Sequence, residues 1–175
     1  EAITTANPIQ PSGLFKTLRD VLPTDAAITM DAGTLCLQAT DALNYWQPKS
    51  LFTPLDFGLV GFSYACGLGV KLAMPERPVI SLMGDGGFGM TVSEISTAVD
   101  HGINTVTVVS NVSSPAFDKL AELYGARGFH ADTLGQMAEA IEAALACGKP
   151  AVVDVAVDPA ALYSFRRDSF KHRGG

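Results

Sequence analysis

Histidine, cysteine and charge are all scarce in this sequence. Its 175 residues hold three histidines, three cysteines and one tryptophan, and only 17% of the chain is charged. Cys36, Cys66 and Cys147 stand far apart, without the paired spacing of a disulfide framework or a zinc finger. They read as small buried thiols in a reducing compartment. His101, His130 and His172 have no partner pattern and are assigned no chemistry. Lys and Arg number 12 against 18 Asp and Glu, a net charge of −6. There is no basic stripe and no aromatic residue interleaved with one, so nucleic acid is not an expected ligand. No apolar run approaches the roughly 20 residues of a membrane span. The opening residues lack the charged start and apolar core of a secretory leader, so a cytoplasmic protein that meets no membrane is expected. Internal repeats and low-complexity tracts are absent.

What is present is apolar residues, 47% of the chain, and 17 glycines placed as punctuation. Leu14, Phe15, Leu18, Val21 and Leu22 share one face of a helix over 11–22, and Pro23 stops it. Further helices are predicted over 35–43, 62–72, 91–101 and 134–147, with one starting at Pro115 whose apolar face is Phe117, Leu120 and Leu123. The small residues Ala65, Cys66, Gly67 and Gly69 fit a helix lying close on a sheet. Short apolar strands are predicted over 26–30, 79–83, 105–110 and 151–157, with extended pieces at 49–53 and 128–130. Such alternation predicts an α/β fold, a doubly wound parallel sheet with helices on both faces and right-handed crossovers. Residues 1–10 read as a linker or trimmed end, 11–158 as the domain and 159–175 as a tail.

The chain is organised around Ser81-Leu-Met-Gly-Asp-Gly-Gly-Phe-Gly-Met90. A buried strand that runs into a glycine turn and then a helix can hold a phosphate, because backbone N–H groups approach the anion there. Asp85 in that turn would repel a bare phosphate. It suits a divalent cation set between carboxylate and phosphate oxygens. The plainer alternative makes Asp85 a helix cap and Gly86 and Gly87 an ordinary strand-to-helix turn. Asp31–Thr34, Gly84–Gly87 and Asn111 all fall at strand carboxyl ends, where ligands of such sheets sit.

Gly84-Asp85-Gly86, followed by Asn111 at the end of the next apolar run, resembles the Gly-Asp-Gly…Asn-Asn signature of thiamine-diphosphate enzymes. The likeness runs from about Pro8 to about Asp158 and is to the diphosphate-binding domain of the acetolactate synthase and sulfoacetaldehyde acetyltransferase group. The resemblance implies that Asp85 and Asn111 hold Mg²⁺, and that Gly84, Gly86 and Gly87 face the diphosphate of thiamine diphosphate. It implies that the Gly58 carbonyl and the Val60 side chain serve the aminopyrimidine, and that Gly33 and Thr34 touch the diphosphate. Each glycine retains the alternative of a plain turn. The tail Ser164–Phe170 is similar to the end of the acetyltransferases; its alternative is a solvated terminal segment.

Two departures from the family pattern stand out. Val112 occupies the place of the metal-binding second Asn, and Val offers magnesium no oxygen. Only Val112, Ser113 and Ser114 precede Pro115, where the family carries a long closing loop, so the loop is expected to be either deleted or left out of this numbering, with deletion favoured. The family's activating Glu comes from a separate pyrimidine-binding domain or chain. Glu94, the acid nearest the motif, reads as a helix-surface residue. No catalytic residue is therefore assigned within this chain. The resemblance implies half of a lyase or transferase acting on 2-oxo acids, inactive alone and self-associating through apolar surface near Leu55, Phe57, Leu59 and Phe62. Two other readings are an excised scaffold that no longer binds cofactor and the small subunit of a two-subunit decarboxylase.

Overall fold

Parallel strands that are buried on both faces need near-continuous apolar runs, and three segments here supply them. They form the centre of a six-stranded sheet in a computed structural model that describes residues 9–54, 56–113 and 115–158. The strands are β1 Ala27–Met30, β2 Leu51–Phe52, β3 Val79–Gly84, β4 Val106–Asn111, β5 Arg127–Ala131 and β6 Ala151–Ala156. Their order is β2-β1-β3-β4-β6-β5, and every neighbouring pair is parallel.

Among the described residues seven helices cover the two faces: α1 Pro11–Val21, α2 Thr34–Ala42, α3 Phe62–Ala73, α4 Asp85–Thr91, α5 Glu94–Asp100, α6 Phe117–Leu123 and α7 Leu134–Ala146. On one face Leu14, Leu18, Ala39 and Ile141 pack against Ile28, Ile80, Val108 and Val153. On the other, Tyr64, Phe88, Ile95 and Phe117 pack against Met83, Val109 and Val152. Phe88 is the hinge of that second core, edge-to-face with Tyr64 at 5.5 Å and with Phe117 at 5.0 Å. The doubly wound arrangement is thus as the alternation predicts.

Local differences have identifiable causes. The helix after the glycine turn starts at Asp85 rather than near residue 91, and it breaks at Val92 and Ser93 before α5. Gly86, Gly87 and Gly89 are poor helix formers, but burial of Phe88 overrides them. Helix α6 begins at Phe117, two residues past Pro115. Leu123 is 84% exposed, and Ala121 takes the inward place expected of it. In α3 only Gly67 is required by close packing, since a methyl group there would collide with the Ser81 hydroxyl. Gly69 faces open space and Ala65 is exposed. Cys66 and Cys147 are free and half-buried rather than fully buried. Ile9, placed by sequence in the leading segment, is fully buried and bridges Val157. Residues 1–8, Leu55 and the tail with Ser164–Phe170 and His172 lie outside the described residues. No helix among the described residues is long and apolar enough to cross a membrane.

Helix α7 opens on a capping box. The Thr133 hydroxyl accepts from the Gln136 N–H at 3.3 Å, and the Gln136 side chain accepts from the Thr133 N–H at 3.1 Å. Thr133→Ala should lower stability by about 1 kcal/mol, read as a smaller urea midpoint at unchanged slope.

Candidate functional site at the carboxyl rim of the sheet

β1 and β3 are neighbours, yet the chain leaves β1 for α2 on one face and β3 for α4 on the other. Connections that diverge in this way open a crevice at the strand carboxyl ends. Asp31 stands at its base, directly after β1 and 1% exposed. Its carboxylate accepts from the N–H of Gly61 at 3.0 Å, of Phe62 at 2.8 Å and of Ser63 at 3.4 Å. These are orphan donors at the start of α3, so Asp31 ties that helix to the sheet. Gly61 adopts φ 87°, a turn that glycine makes at least cost.

Gly87 presses on the same carboxylate. A Cβ at this position would lie 3.2 Å from Asp31 Cγ, nearer still to Oδ2, and 3.5 Å from Val60 Cγ1. Three connections therefore meet here: the end of β1, the turn before α3 and the start of α4. Gly58 sits in the exposed turn leading to Val60, at φ 66°, its N–H donating to the Pro54 carbonyl at 2.7 Å. Gly33, at φ 128°, and Thr34 open α2 on the far side of Asp31.

Asp85 is half-buried at the end of β3 and is not a cap. Gly84 holds the N-cap position of α4, and no side chain caps that helix. Asp85 Oδ1 accepts from the Gly86 N–H at 2.8 Å. Its Oδ2 faces the end of β4, accepting from Val112 N–H at 3.2 Å and Ser113 N–H at 3.4 Å. Asn111 ends β4, and its amide donates to the Pro115 carbonyl at 3.1 Å. Gly86 is exposed, with open space where a side chain would go. Glu94 lies away from this rim in α5, bonded by the Thr97 hydroxyl at 2.9 Å.

The rim thus brings together Gly84, Asp85, Gly86, Gly87 and Val60, with Asn111 joined to them through the backbone of 112–113. Sequence reading missed Asp31 as their organiser. Its one visible signal is an acid directly after an apolar strand. Beside the rim, Phe57 is 86% and Met90 67% exposed.

The donor set suits a hard cation. A carboxylate oxygen has two lone pairs, so Asp85 can bind an ion while still holding N–H groups. The Asn111 amide oxygen is of the right chemistry, and Val112 contributes no side-chain ligand.

Residues 31–114 match the family described as "Thiamine pyrophosphate enzyme, C-terminal TPP binding domain". The chain is 27% identical to a sulfoacetaldehyde acetyltransferase of Alcaligenes xylosoxydans xylosoxydans, over 92% of this chain and 31% of that protein. It is 32% identical to a putative acetolactate synthase large subunit, IlvB2, of Mycobacterium tuberculosis, over 86% of this chain and 31% of that one. A solved thiamine diphosphate-dependent 4-hydroxybenzoylformate decarboxylase of Rhodococcus jostii RHA1 superposes with TM-score 0.81 and 25% identity, covering 90% of this chain and 34% of that chain. The chain spans about a third of the length of these relatives. The acetyltransferase match runs over 188 residues, longer than the 175 present here, so that relative carries residues without a counterpart in this chain.

Proposed function

We propose that this chain, which in sequence and fold is a relative of the C-terminal TPP binding domain of thiamine-diphosphate enzymes, is the half of such an enzyme that holds diphosphate and magnesium. One observation carries the reading. Asp85 projects from the end of β3 beside Asn111, at the β1/β3 crevice and inside the stretch that matches the family. Magnesium binds through one or two carboxylates and completes its shell with phosphate oxygens and water. Asp85 and Asn111 are its ligands in this reading, and Gly84, Gly86 and Gly87 offer the diphosphate close backbone approach. Gly33 and Thr34 border it, while Gly58 and Val60 support the aminopyrimidine. The cofactor, when bound, supplies an electron sink for cleaving or forming a carbon–carbon bond of a 2-oxo acid. This chain's own part is to bind, orient and neutralise the diphosphate. Activation of the cofactor falls to a pyrimidine-binding domain or chain, and the chain alone is inactive. Cys66 and Cys147, both free thiols, suit the cytoplasm.

A second reading has its own support. Val112 cannot be a side-chain ligand, and the N–H groups of Val112 and Ser113 already occupy Asp85 Oδ2. That geometry favours a scaffold that has lost the cofactor. Calorimetric titration with thiamine diphosphate and Mg²⁺ separates the two. We expect weak binding that Asp85→Ala weakens at least tenfold, or about 1.4 kcal/mol. An absence of heat in the unmodified chain would support the scaffold. Turnover appearing only with a second protein would support the two-subunit reading. The exposed Phe57, Leu59, Val60 and Met90 form an apolar patch that self-association would cover.

A further inference from the structure

Asp154 interrupts the apolar run of β6, and only 2% of it is exposed. Opposite it in register on β5 is His130. Asp118, in the first turn of α6 and with a side chain only 7% exposed, completes the cluster. One donor atom from each of the three residues lies within 4.8 Å of the others. This cluster shares no residue with the rim described above, although the Asn111 side chain hydrogen-bonds Asp154.

Two features of the cluster call for a positive charge. First, Asp118 Oδ1 and Asp154 Oδ1 are both buried and have no hydrogen-bond partner among the described residues. An unpaired buried carboxylate oxygen is costly, and two in one place repel. Among the described residues Lys119 pairs with this cluster; it is 70% exposed and reaches the other oxygen of Asp118, at 3.5 Å. Asp154 Oδ2 accepts the Phe117 N–H at 3.2 Å, and the Asn111 side chain also bonds this carboxylate, so Asp154 is partly compensated while Asp118 Oδ1 is not. Second, His130 is oriented by a third acid. Its Nε2 is 3.1 Å from Asp132 Oδ1, while Nδ1 is 3.8 Å from Asp154 Oδ2. With Nε2–H donated to Asp132, Nδ1 turns a lone pair toward a carboxylate. A carboxylate holding the far nitrogen of an imidazole is the arrangement that orients histidine ligands on metals. Burial pushes the Asp154 carboxyl up, and Asn111, the Phe117 N–H and His130 pull it back while Asp118 adds to the rise.

We infer that Asp118, His130 and Asp154 bind a divalent first-row transition ion such as Zn²⁺, with Asp132 as the positioning residue for His130. A mixed imidazole and carboxylate set suits such ions better than magnesium or calcium. Three protein ligands leave a fourth tetrahedral position for water. With bonds of about 2.0–2.2 Å, tetrahedral donors stand roughly 3.3–3.6 Å apart, so the cluster must draw in slightly. The His130 side chain, 46% exposed, is free to do so. The ion would clamp α6 onto β5 and β6 and so fix the short connection that follows Asn111.

The test is a titration of the 175-residue chain with Co²⁺, followed by its visible absorption, and with Zn²⁺ by calorimetry, both without thiamine diphosphate. We expect one equivalent bound with tetrahedral d–d bands and no thiolate charge-transfer band. His130→Ala, at an exposed side chain that folding tolerates, should weaken binding a hundredfold or more. Asp132→Asn should weaken it about tenfold, and Asp85→Ala should leave it unchanged. Zn²⁺ should raise the melting temperature of the unmodified chain but not of the His130→Ala variant. Absence of binding, the same affinity in His130→Ala, or a thiolate band would each overturn the assignment. Loss of binding in Asp85→Ala would place the ion at the rim instead and overturn it too.

Discussion

Gly128→Ala is expected to lower the stability of this chain by about 3 kcal/mol or more, at the upper end of what overpacking costs. A methyl group at 128 would collide with the Asp118 carbonyl oxygen, and it would stand 2.6 Å from the carbonyl carbon and 2.9 Å from Cα. These are backbone atoms, so no side chain can rotate away. Either β5 must leave α6 or α6 must leave the sheet, and Phe117 would be drawn out of the aromatic trio with Phe88 and Tyr64. Thermal unfolding should fall by about 6–12 °C for a chain of this size. Gly135→Ala is the control. It lies in α7 with open space around it and should gain up to about 1 kcal/mol from helix propensity. A Gly128→Ala chain within 0.5 kcal/mol of the parent, roughly the noise of a surface change, would mean that β5 shifts freely.

Gly128 also marks the boundary of what the sequence makes legible. Strands β3, β4 and β6 are near-continuous apolar runs, and each is buried along its whole length but for the last residue. They can be read without knowing their neighbours. β5 cannot, because an edge strand of the composition Arg-Gly-Phe-His-Ala shows no clean alternation and is half exposed. Its glycine is explained only by the helix backbone that lies on it. Likewise the start of α4 at Asp85 is hidden, since its local glycines argue against helix and the buried Phe88 argues for it. Sheet order, with β6 inserted between β4 and β5, has no local signal at all.

The candidate site divides in the same way. Asp85 is visible because its glycine turn is contiguous in sequence, and Asn111 through the resemblance to the family signature. The bonds that place them are less so. The acceptor role of Asp85 toward the Val112 and Ser113 N–H groups joins two strand ends 27 and 28 residues apart. Asp118, His130 and Asp154 come from three elements, and the only hint of them is an acid in the middle of an apolar strand. Chemistry that is assembled by topology leaves single, unremarkable letters in the chain.

Asp31 is the strongest case, and it yields the second large effect. Asp31→Ala should cost about 3–5 kcal/mol, as expected when one side of a buried charged hydrogen-bonded set is removed. Three N–H groups at the start of α3 would lose their acceptor, and the positive end of that helix would lose its counter-charge. Asp31→Asn, which keeps one acceptor oxygen, should cost less, about 1–3 kcal/mol. Hydrogen exchange gives the local signature: amides of 61–63 lose protection while those of β4 and β6 fall only with global stability. The contact with Gly87 supplies a sharper test. Gly87→Ala alone should be destabilising, because its methyl meets the Asp31 carboxylate, although alanine is otherwise the better helix residue by about 1 kcal/mol. In the Asp31→Ala background that obstruction is gone. The cycle should therefore show a coupling energy of about 1–3 kcal/mol, with Gly87→Ala turning neutral or favourable once Asp31 is absent. Additive losses would mean that the carboxylate and the glycine turn are independent, and that the crevice is not built around Asp31.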